Sequence, residues 1–223
     1  MRNLLKRIMA TPGSNRAKRS SSPKRPIRGY HHGNLRRALL DAAAKILEAN
    51  DAGELGLRAV ARMAGVSQAA PYRHFADKQA LLAAVAEEGF RTMSEAMRHA
   101  AASARDPAER LLGLGVGYVE FATAHRAHFR VMFGRELIDK SQFPDLAKAA
   151  SEAFSVLYDT ILECQRAGVT RRDDPAEQAF AAWSIVHGLA NLIVNEQLSL
   201  AGKSPATLAL DITRNLIDGM RPR

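Results

Sequence analysis

Four polar side chains stand close together in one short segment of the chain: Gln68, Tyr72, Arg73 and His74. A glutamine amide near a helix start can pair with an adenine or guanine edge in the major groove. An arginine guanidinium can bind a guanine with two hydrogen bonds or simply bind a phosphate, and the other two groups have polar tips within reach of a duplex. These residue types at this spacing predict hydrogen bonding to nucleic acid.

The sequence around this segment predicts two short helices joined by a tight turn. Apolar residues recur with the spacing of one buried helix face, at Leu57, Val60, Ala61 and Ala64. Gly65 then supplies a residue that tolerates the left-handed conformation, and Ser67 is suited to cap a second helix over about 68–75. A helix, a glycine turn and a polar second helix form a helix-turn-helix, which places side chains in the major groove.

The segments RALLDAAAKIL, LRAVARMAGVS and QAAPYRHFADKQALL within residues 36–90 resemble the DNA-binding domain of the TetR family of bacterial transcriptional regulators. The Gly-Val-Ser turn, Tyr72, Phe75 and Lys78 fall where that family's signature has them. Further along, Trp183, His187 and Gly188 resemble the Trp-His-Gly motif of one C-terminal subfamily. The resemblance covers most of the chain from Tyr30 onward and implies a dimeric regulator.

We expect DNA contacts from residues that combine this resemblance with suitable chemistry. Small alanines let the helix approach the groove, hydroxyl and imidazole tips suit phosphates, and a cation at the start of the next helix favours a phosphate. The predicted set is Arg58, Ser67, Gln68, Ala69, Ala70, Tyr72, Arg73, His74, Lys78 and, before the folded part, Arg28.

Two positions depart from the family pattern. The second helix opens with Leu55-Gly56-Leu57-Arg58, where family members usually have Ser or Thr, so we expect the charge of Arg58 to replace that phosphate contact. Pro71 lies within the recognition helix and removes one backbone donor. Both features leave the operator sequence unpredicted.

The pattern of caps and periodic apolar residues from Asn34 onward predicts an all-α fold. An N-terminal three-helix DNA-binding domain (29–80) is expected to precede a larger helical domain for effector binding and dimerisation (81–223), after a basic arm (1–28). Apolar residues make up 47% of the chain, and a single cysteine excludes an internal disulfide. With no long apolar run, the sequence predicts a cytoplasmic, nucleoid-associated protein without a membrane span.

The excess positive charge is confined to the arm. Residues 1–28 hold nine Lys and Arg and no acidic residue, which leaves 23 basic and 23 acidic residues in the remainder of this chain of net charge +9. Rich in Ser, Pro and cations, the arm cannot bury enough apolar surface to fold. It is either an electrostatic arm that follows phosphates, with Arg25 and Arg28 nearest the fold, or a solvated leader without a specific role.

The C-terminal half must supply dimerisation, because one helix-turn-helix covers only half of a palindromic DNA site. The penultimate helix carries an apolar stripe at Ala179, Ala182, Trp183, Val186, Ala190 and Ile193, and the last offers Leu208, Ile212 and Leu216. In the family these two helices pair with their mates in a four-helix bundle. The alternative is that the stripes pack only inside one subunit.

Trp183 and His187 share a helix face and belong to a possible effector pocket for a small, mainly apolar ligand. The predicted pocket set is Tyr118, Phe121, Met132, Phe133, Phe154, Tyr158, Trp183 and His187; plain core packing is the alternative. We expect no metal at His125 and His128, which lack further ligands at suitable spacing. Cys164 alone in a helix is expected to be inert, and no cofactor is predicted.

The sequence as a whole predicts a homodimeric repressor that leaves a palindromic operator when a small effector binds. A nucleoid-type protein that binds DNA without sequence preference is one alternative. An enzyme is another, although the sequence contains no phosphate-cradling glycine loop, nucleophile elbow or paired-histidine metalloprotease motif.

Overall fold

A computed structural model describes residues 32–49, 54–134 and 142–222, and His32–Arg223 form one compact unit. The described residues contain helices and no strand. The helices are α1 His32–Ala49, α2 Leu57–Met63, α3 Lys78–Ala100, α4 Pro107–Ala124, α5 Arg126–Phe133, α6 Pro144–Arg166, α7 Pro175–Val194 and α8 Pro205–Gly219. None of these helices is long and apolar enough to cross a lipid bilayer. The all-α prediction is confirmed, and the arm with Arg28 lies outside the described residues.

Capping residues start several of the helices. Asp77 accepts a hydrogen bond from the Ala80 amide at the start of α3, and Asp106 accepts one from the Glu109 amide at the start of α4. Both satisfy amides that the helix itself leaves without a partner. Pro107 follows the second cap at a first-turn position, where its missing N–H costs little.

Glycines in the left-handed region end two helices, one at the predicted Gly65 and one at Gly168. Gly65 has φ +68°, and the following amide of Val66 bonds to the carbonyl of Ala61, which closes α2. Gly168 has φ +70° and closes α6 in the same way. The turn between α2 and the recognition segment is therefore a property of the local sequence.

The recognition segment (67–75) differs from the predicted helix. Its helical part is a 3₁₀ turn at Pro71–Arg73, preceded by a turn in which Ala70 donates to the carbonyl of Ser67. Pro71 has no N–H to bond that carbonyl in α-helical fashion, and its own carbonyl then accepts from both His74 and Phe75. The residue at the N-cap position of this turn is Ala70, which makes no side-chain hydrogen bond, and not Ser67 as predicted.

Two helix ends also differ from prediction. α1 begins at His32, so the helical region starts two residues before the predicted start at Asn34. The apolar periodicity after Pro175 predicts a helix to about Leu200. The helix instead ends at Val194 because Glu196 adopts φ 57° and the Gln197 amide bonds to the Leu192 carbonyl. The sequence does not reveal this helix end, because a glutamate, unlike a glycine, does not indicate a left-handed backbone conformation.

α3 connects the recognition segment with the core of the larger helical region. It starts at Lys78 and runs without interruption across the predicted domain border at residue 80. Its far end packs backbone to backbone against α4, since a Cβ at Gly113 or Gly117 would lie 2.7–2.8 Å from backbone atoms of α3. The two helices can approach this closely only because these positions lack side chains.

Candidate nucleic-acid interface and ligand cavity

The recognition segment presents an exposed polar face. Ser67, Gln68, Ala69 and Arg73 are exposed, and Tyr72 leaves 53% of its surface open. An aromatic side chain this open, beside exposed hydrogen-bonding groups, has its polar tip available to an external partner. The residues predicted to contact bases and phosphates therefore lie together on one accessible stretch, with Ala70 and His74 half-buried beside them.

Apolar contacts on the buried side of the recognition segment fix its position. Phe75 is 3% exposed and joins the hydrophobic core, and Pro71 is also buried. The guanidinium carbon of Arg36, on α1, lies 5.7 Å from the centre of the Phe75 ring, within cation–π range. A rigid support of this kind positions the exposed side chains without involving them in the core.

Cationic side chains border the recognition segment on both sides. Arg58 is exposed on α2, one turn before Arg62, which is also exposed. Lys78 is half-buried at the first residue of α3, where the helix N-terminus favours an anion. α2 itself begins after Gly56 without a side-chain cap, so the position where relatives usually have Ser or Thr offers no hydroxyl here. This arrangement suits phosphates on either side of a groove.

The larger helical region encloses an apolar cavity of about 360 Å³. Its wall takes residues from α3 to α8: Phe90, Met93, Met97, Leu111, Leu114, Gly115, Tyr118, Phe133, Leu146, Ala147, Ala150, Ala153, Phe154, Leu157, Phe180, Ala182, Trp183, Val186, Thr213 and Leu216. Among the described residues that form this wall, none carries a charged side chain. The volume lies in the range of small-molecule sites, and the lining suits an apolar ligand.

A polar network crosses one side of the cavity between α4 and α7. The Tyr118 hydroxyl lies 2.7 Å from Nδ1 of His187, and the indole N–H of Trp183 donates to the same hydroxyl at 3.3 Å. Asn191 Nδ2 lies 2.8 Å from Nε2 of the imidazole. Burial lowers the pKa of His187 and raises the pKa of Tyr118, so both groups are neutral near pH 7.

The cavity includes half of the predicted pocket residues. Tyr118, Phe133, Phe154 and Trp183 belong to its wall, and His187 lies behind the wall through its bond to Tyr118. The remaining three, Phe121, Met132 and Tyr158, pack elsewhere in the core. Phe121 borders a separate, charged cleft of about 530 Å³ between α1 and α3.

Sequence reasoning missed most of the aliphatic wall. Met93 and Met97 on α3 and Leu216 on α8 have the spacing of ordinary core positions, so nothing distinguishes them from residues that pack without a cavity. Thr213 was also missed, although a polar residue inside an apolar helix face is a signal that can be read from sequence.

The histidines and the cysteine outside this site show no reactive arrangement. The rings of His125 and His128 lie 5.9 Å apart, and within the described ranges no three His, Cys, Asp or Glu side chains converge as metal ligands. Cys164 is fully buried, its thiol faces the carbonyl of Pro107, and burial raises its pKa to about 11. It therefore stays protonated and a poor nucleophile.

The apolar stripe of α7 faces the protomer core. Ala179, Ala182, Val186, Ala190 and Ile193 are all buried against neighbouring helices of the same chain. This is the alternative arrangement foreseen for the stripe, and it leaves another helix face open. Ala181, Ile185, Gly188 and Leu192 lie on that opposite face, which we call the open α7 face; Ile185 and Leu192 are 39% and 42% exposed.

Two family models match the chain. Residues 39–85 match the model described as bacterial regulatory proteins, tetR family, and residues 111–215 match the Tetracyclin repressor-like, C-terminal domain. The chain belongs to the TetR family of bacterial transcriptional regulators. TetR regulators bind DNA, dimerise and bind small-molecule ligands, and a ligand-responsive repressor is their typical role. The Trp-His-Gly subfamily stays a prediction.

The chain is also similar to individual proteins. The HTH-type transcriptional activator FasR of Mycolicibacterium smegmatis is 28% identical over 156 residues, which cover 65% of this chain and 71% of FasR. A solved structure of a protein with unknown function from Rhodococcus sp. RHA1 is 33% identical with a TM-score of 0.77, over 88% of this chain and all of that one. FadR from Bacillus subtilis, solved in complex with stearoyl-CoA, shares the fold with a TM-score of 0.70 at 14% identity, over 83% and 99% of the two chains.

Proposed function

We propose that this TetR regulator is a cytoplasmic, nucleoid-associated homodimer that binds a palindromic operator through residues 67–73 and leaves it when an effector occupies the apolar cavity. The observation that carries the proposal is the continuity of α3. One helix starts beside the recognition segment at Lys78 and lines the cavity with Phe90, Met93 and Met97. An effector that displaces the far end of α3 would therefore move the recognition segment.

Base reading is assigned to Gln68 and Arg73, and positioning on the backbone to Arg58, Tyr72, His74 and Lys78. The first pair is exposed on the recognition segment and can form two hydrogen bonds with a purine. The second group contributes hydroxyl, imidazole and cationic tips, which suit phosphates and carry no sequence information. Ser67, Ala69 and Ala70 would let the backbone approach the bases closely, and Arg28 would contact phosphates beside the site.

Dimerisation is assigned to the open α7 face with the adjoining part of α8. Gly188 has no neighbouring atom within 4 Å of a Cβ built on it, so a second helix can approach the backbone there. Ile185 and Leu192 flank it and would be removed from water by a partner. Two copies related by a two-fold axis would present two recognition segments, as successive half-sites about 34 Å apart require.

Release requires that the effector bind the DNA-incompetent arrangement more tightly than the DNA-bound one. A change in the tilt of α3 satisfies this condition if the cavity is better filled in one arrangement. We assign repression to this chain because it is the typical role in the family, although the relative FasR is named an activator.

The proposal is tested by selecting bound duplexes from a random-sequence DNA pool at near-physiological salt with the whole chain. We expect enrichment of a palindrome whose half-sites lie one helical turn apart. Recovery of unselected DNA would support instead a non-specific binder driven by the nine basic residues of 1–28. A chain lacking residues 1–28 should still enrich the palindrome if the recognition segment reads the sequence.

A further inference from the structure

The hydrogen-bond donors and acceptors around the cavity can be assigned from Asn191. Its Nδ2 lies 3.0 Å from the carbonyl oxygen of His187 and 2.8 Å from Nε2 of the same residue. A carbonyl oxygen only accepts, so the amide nitrogen must be the atom that faces it. Its two hydrogens then serve the carbonyl and Nε2. Nε2 is therefore an acceptor, and the neutral imidazole carries its proton on Nδ1.

This tautomer determines what the Tyr118 hydroxyl can do. Its oxygen accepts the Nδ1–H of His187 at 2.7 Å and the indole N–H of Trp183 at 3.3 Å. An indole nitrogen is only a donor, so both acceptor positions of the phenol oxygen are in use. Among the described residues the hydroxyl has no third partner, and its own hydrogen is left without an acceptor. Tyr118 is 3% exposed and belongs to the cavity wall, so the cavity is the place from which an acceptor can come.

A second residue of the same wall carries a polar atom that lacks a partner. Thr213 on α8 is 1% exposed, and its Oγ1 has no hydrogen-bond partner within the described part of the chain. A threonine in a helix often bonds the carbonyl four residues before it, and Thr213 does not. The Oγ1 instead packs on Gly115, where a methyl group would overlap it. Both residues line the cavity.

The rest of the wall excludes charged ligands. Apart from Tyr118, Trp183 and Thr213, the side chains that the described residues contribute to the wall are apolar, with no cation or carboxylate among them. A carboxylate or ammonium group that entered would lose its hydration and find no opposite charge. A neutral acceptor, by contrast, would satisfy a buried hydroxyl that is costly to leave unpaired.

We infer that the effector is an uncharged, mainly apolar molecule that carries a carbonyl-type hydrogen-bond acceptor. The Tyr118 hydroxyl donates its hydrogen to this acceptor, and Thr213 is a second polar contact. The inference rests on the proposed effector role of the cavity and adds the chemical class of the ligand. It places the polar group of the ligand between α4 and α8, while the aliphatic part lies along the methionines of α3.

The test uses four compounds of equal chain length: heptane, methyl pentyl ketone, heptanoate and heptylamine. Trp183 is the only tryptophan of the sequence and lies in the wall, so its fluorescence reports occupancy in the whole protein. We expect the ketone to bind about tenfold or more tightly than heptane, in line with satisfying one buried hydrogen bond. The two charged compounds should bind more weakly than the ketone.

Variants separate a hydrogen bond from simple packing. Tyr118→Phe keeps the ring and removes the hydroxyl, so the ratio of ketone affinity to heptane affinity within this variant should fall to about twofold or less. Thr213→Val, which preserves shape, should reduce that preference as well. Thr170→Val is the matched control, because Thr170 is equally buried with an unpartnered Oγ1 but lies outside the cavity wall, and it should leave the preference unchanged.

The outcomes distinguish the inference from the proposed function. Equal affinities of ketone and heptane in the wild type, or tightest binding of heptanoate or heptylamine, would overturn the assigned ligand class while leaving an effector cavity in place. If none of the four compounds changes the fluorescence of Trp183, the cavity does not accept apolar ligands, and the effector role falls together with the inference.

Discussion

The hydroxyl oxygen of Tyr118 on α4 and Nδ1 of His187 on α7 lie 2.7 Å apart, which ties two cavity-forming helices together by a buried hydrogen bond. Aromatic contacts surround this bond: the Phe133 ring centre is 4.5 Å and the Phe129 ring centre 5.5 Å from that of His187. The imidazole is therefore a neutral connector inside an aromatic cluster, and a charge on it would be poorly solvated.

Acid should destabilise the protein partly through His187. Burial lowers its pKa below the usual value near 6.5, so the unfolded chain takes up the proton first as pH falls. The contribution of the neutral His187 to the free energy of unfolding is fully present above about pH 6.5. It decreases as the pH falls from there to the folded-state pKa of His187. His187→Gln removes this titration, so its melting temperature should fall less than that of the wild type between about pH 7.5 and about pH 5.5. An identical fall in both proteins would assign the acid sensitivity to another group, such as His128, whose pKa burial also lowers.

Arg58→Ala should weaken DNA binding without changing sequence preference. Arg58 is exposed on α2, and a phosphate contact contributes affinity that depends on salt and carries no base information. The slope of log affinity against log salt should become shallower by about 1 for each protomer's lost contact. Titrations of one enriched duplex and one point-substituted duplex at several salt concentrations measure both quantities. A change in the ratio of the two affinities would show that Arg58 reads a base.

Gly117→Ala should destabilise the fold by about 1–3 kcal/mol, because a Cβ there would lie 2.7 Å from the Ala96 carbonyl oxygen of α3. Backbone atoms cannot rotate away as a flexible side chain can, so α3 and α4 must separate. Gly219→Ala is the matched control, since nothing lies within 4 Å of its Cβ position. Chemical denaturation of both variants at equal protomer concentration gives the comparison. If Gly117→Ala proves as stable as the control, the close approach of the two helices is not required.

Leu192→Glu should shift the protein towards the monomer. The side chain is 42% exposed in one protomer, so a charge costs little there, whereas a partner helix packed on it would bury an unpaired carboxylate. Sedimentation at fixed protein concentration measures the shift, and Glu177→Gln, near the start of the same helix and also exposed, serves as control. A dimer of unchanged stability in Leu192→Glu would place the interface away from the open α7 face.

The sequence predicted the parts of the fold that depend on local signals. Gly65 ends its helix as predicted, and Asp77 and Asp106 cap theirs through side chains of a type that sequence reasoning associates with helix starts. The end of α7 was missed because Glu196 enters the left-handed region without being glycine. The 3₁₀ geometry of the recognition segment follows from Pro71, because the missing N–H prevents the α-helical bond to the carbonyl of Ser67.

The cavity was harder to predict than the recognition segment. The recognition segment is continuous in sequence, whereas the cavity wall is assembled from six helices. Whether Leu111 or Met97 packs in the core or lines a cavity depends on the space that the other five helices leave unfilled. For the same reason the sequence did not determine whether the apolar stripe of α7 packs inside the protomer or against a second copy. Periodicity locates an apolar stripe, but it does not tell whether the stripe meets its own chain or a second copy.

The most direct test of the central claim is a duplex selection from a random pool, performed in parallel with the wild type and Gln68→Ala. Gln68 is exposed, so the substitution should not disturb folding. We predict that both proteins enrich the same palindrome and that the variant loses preference at one base pair in each half-site, with a discrimination loss of about 1–3 kcal/mol. Identical base preferences in the two proteins, or enrichment of no sequence by either, would contradict base reading by the recognition segment.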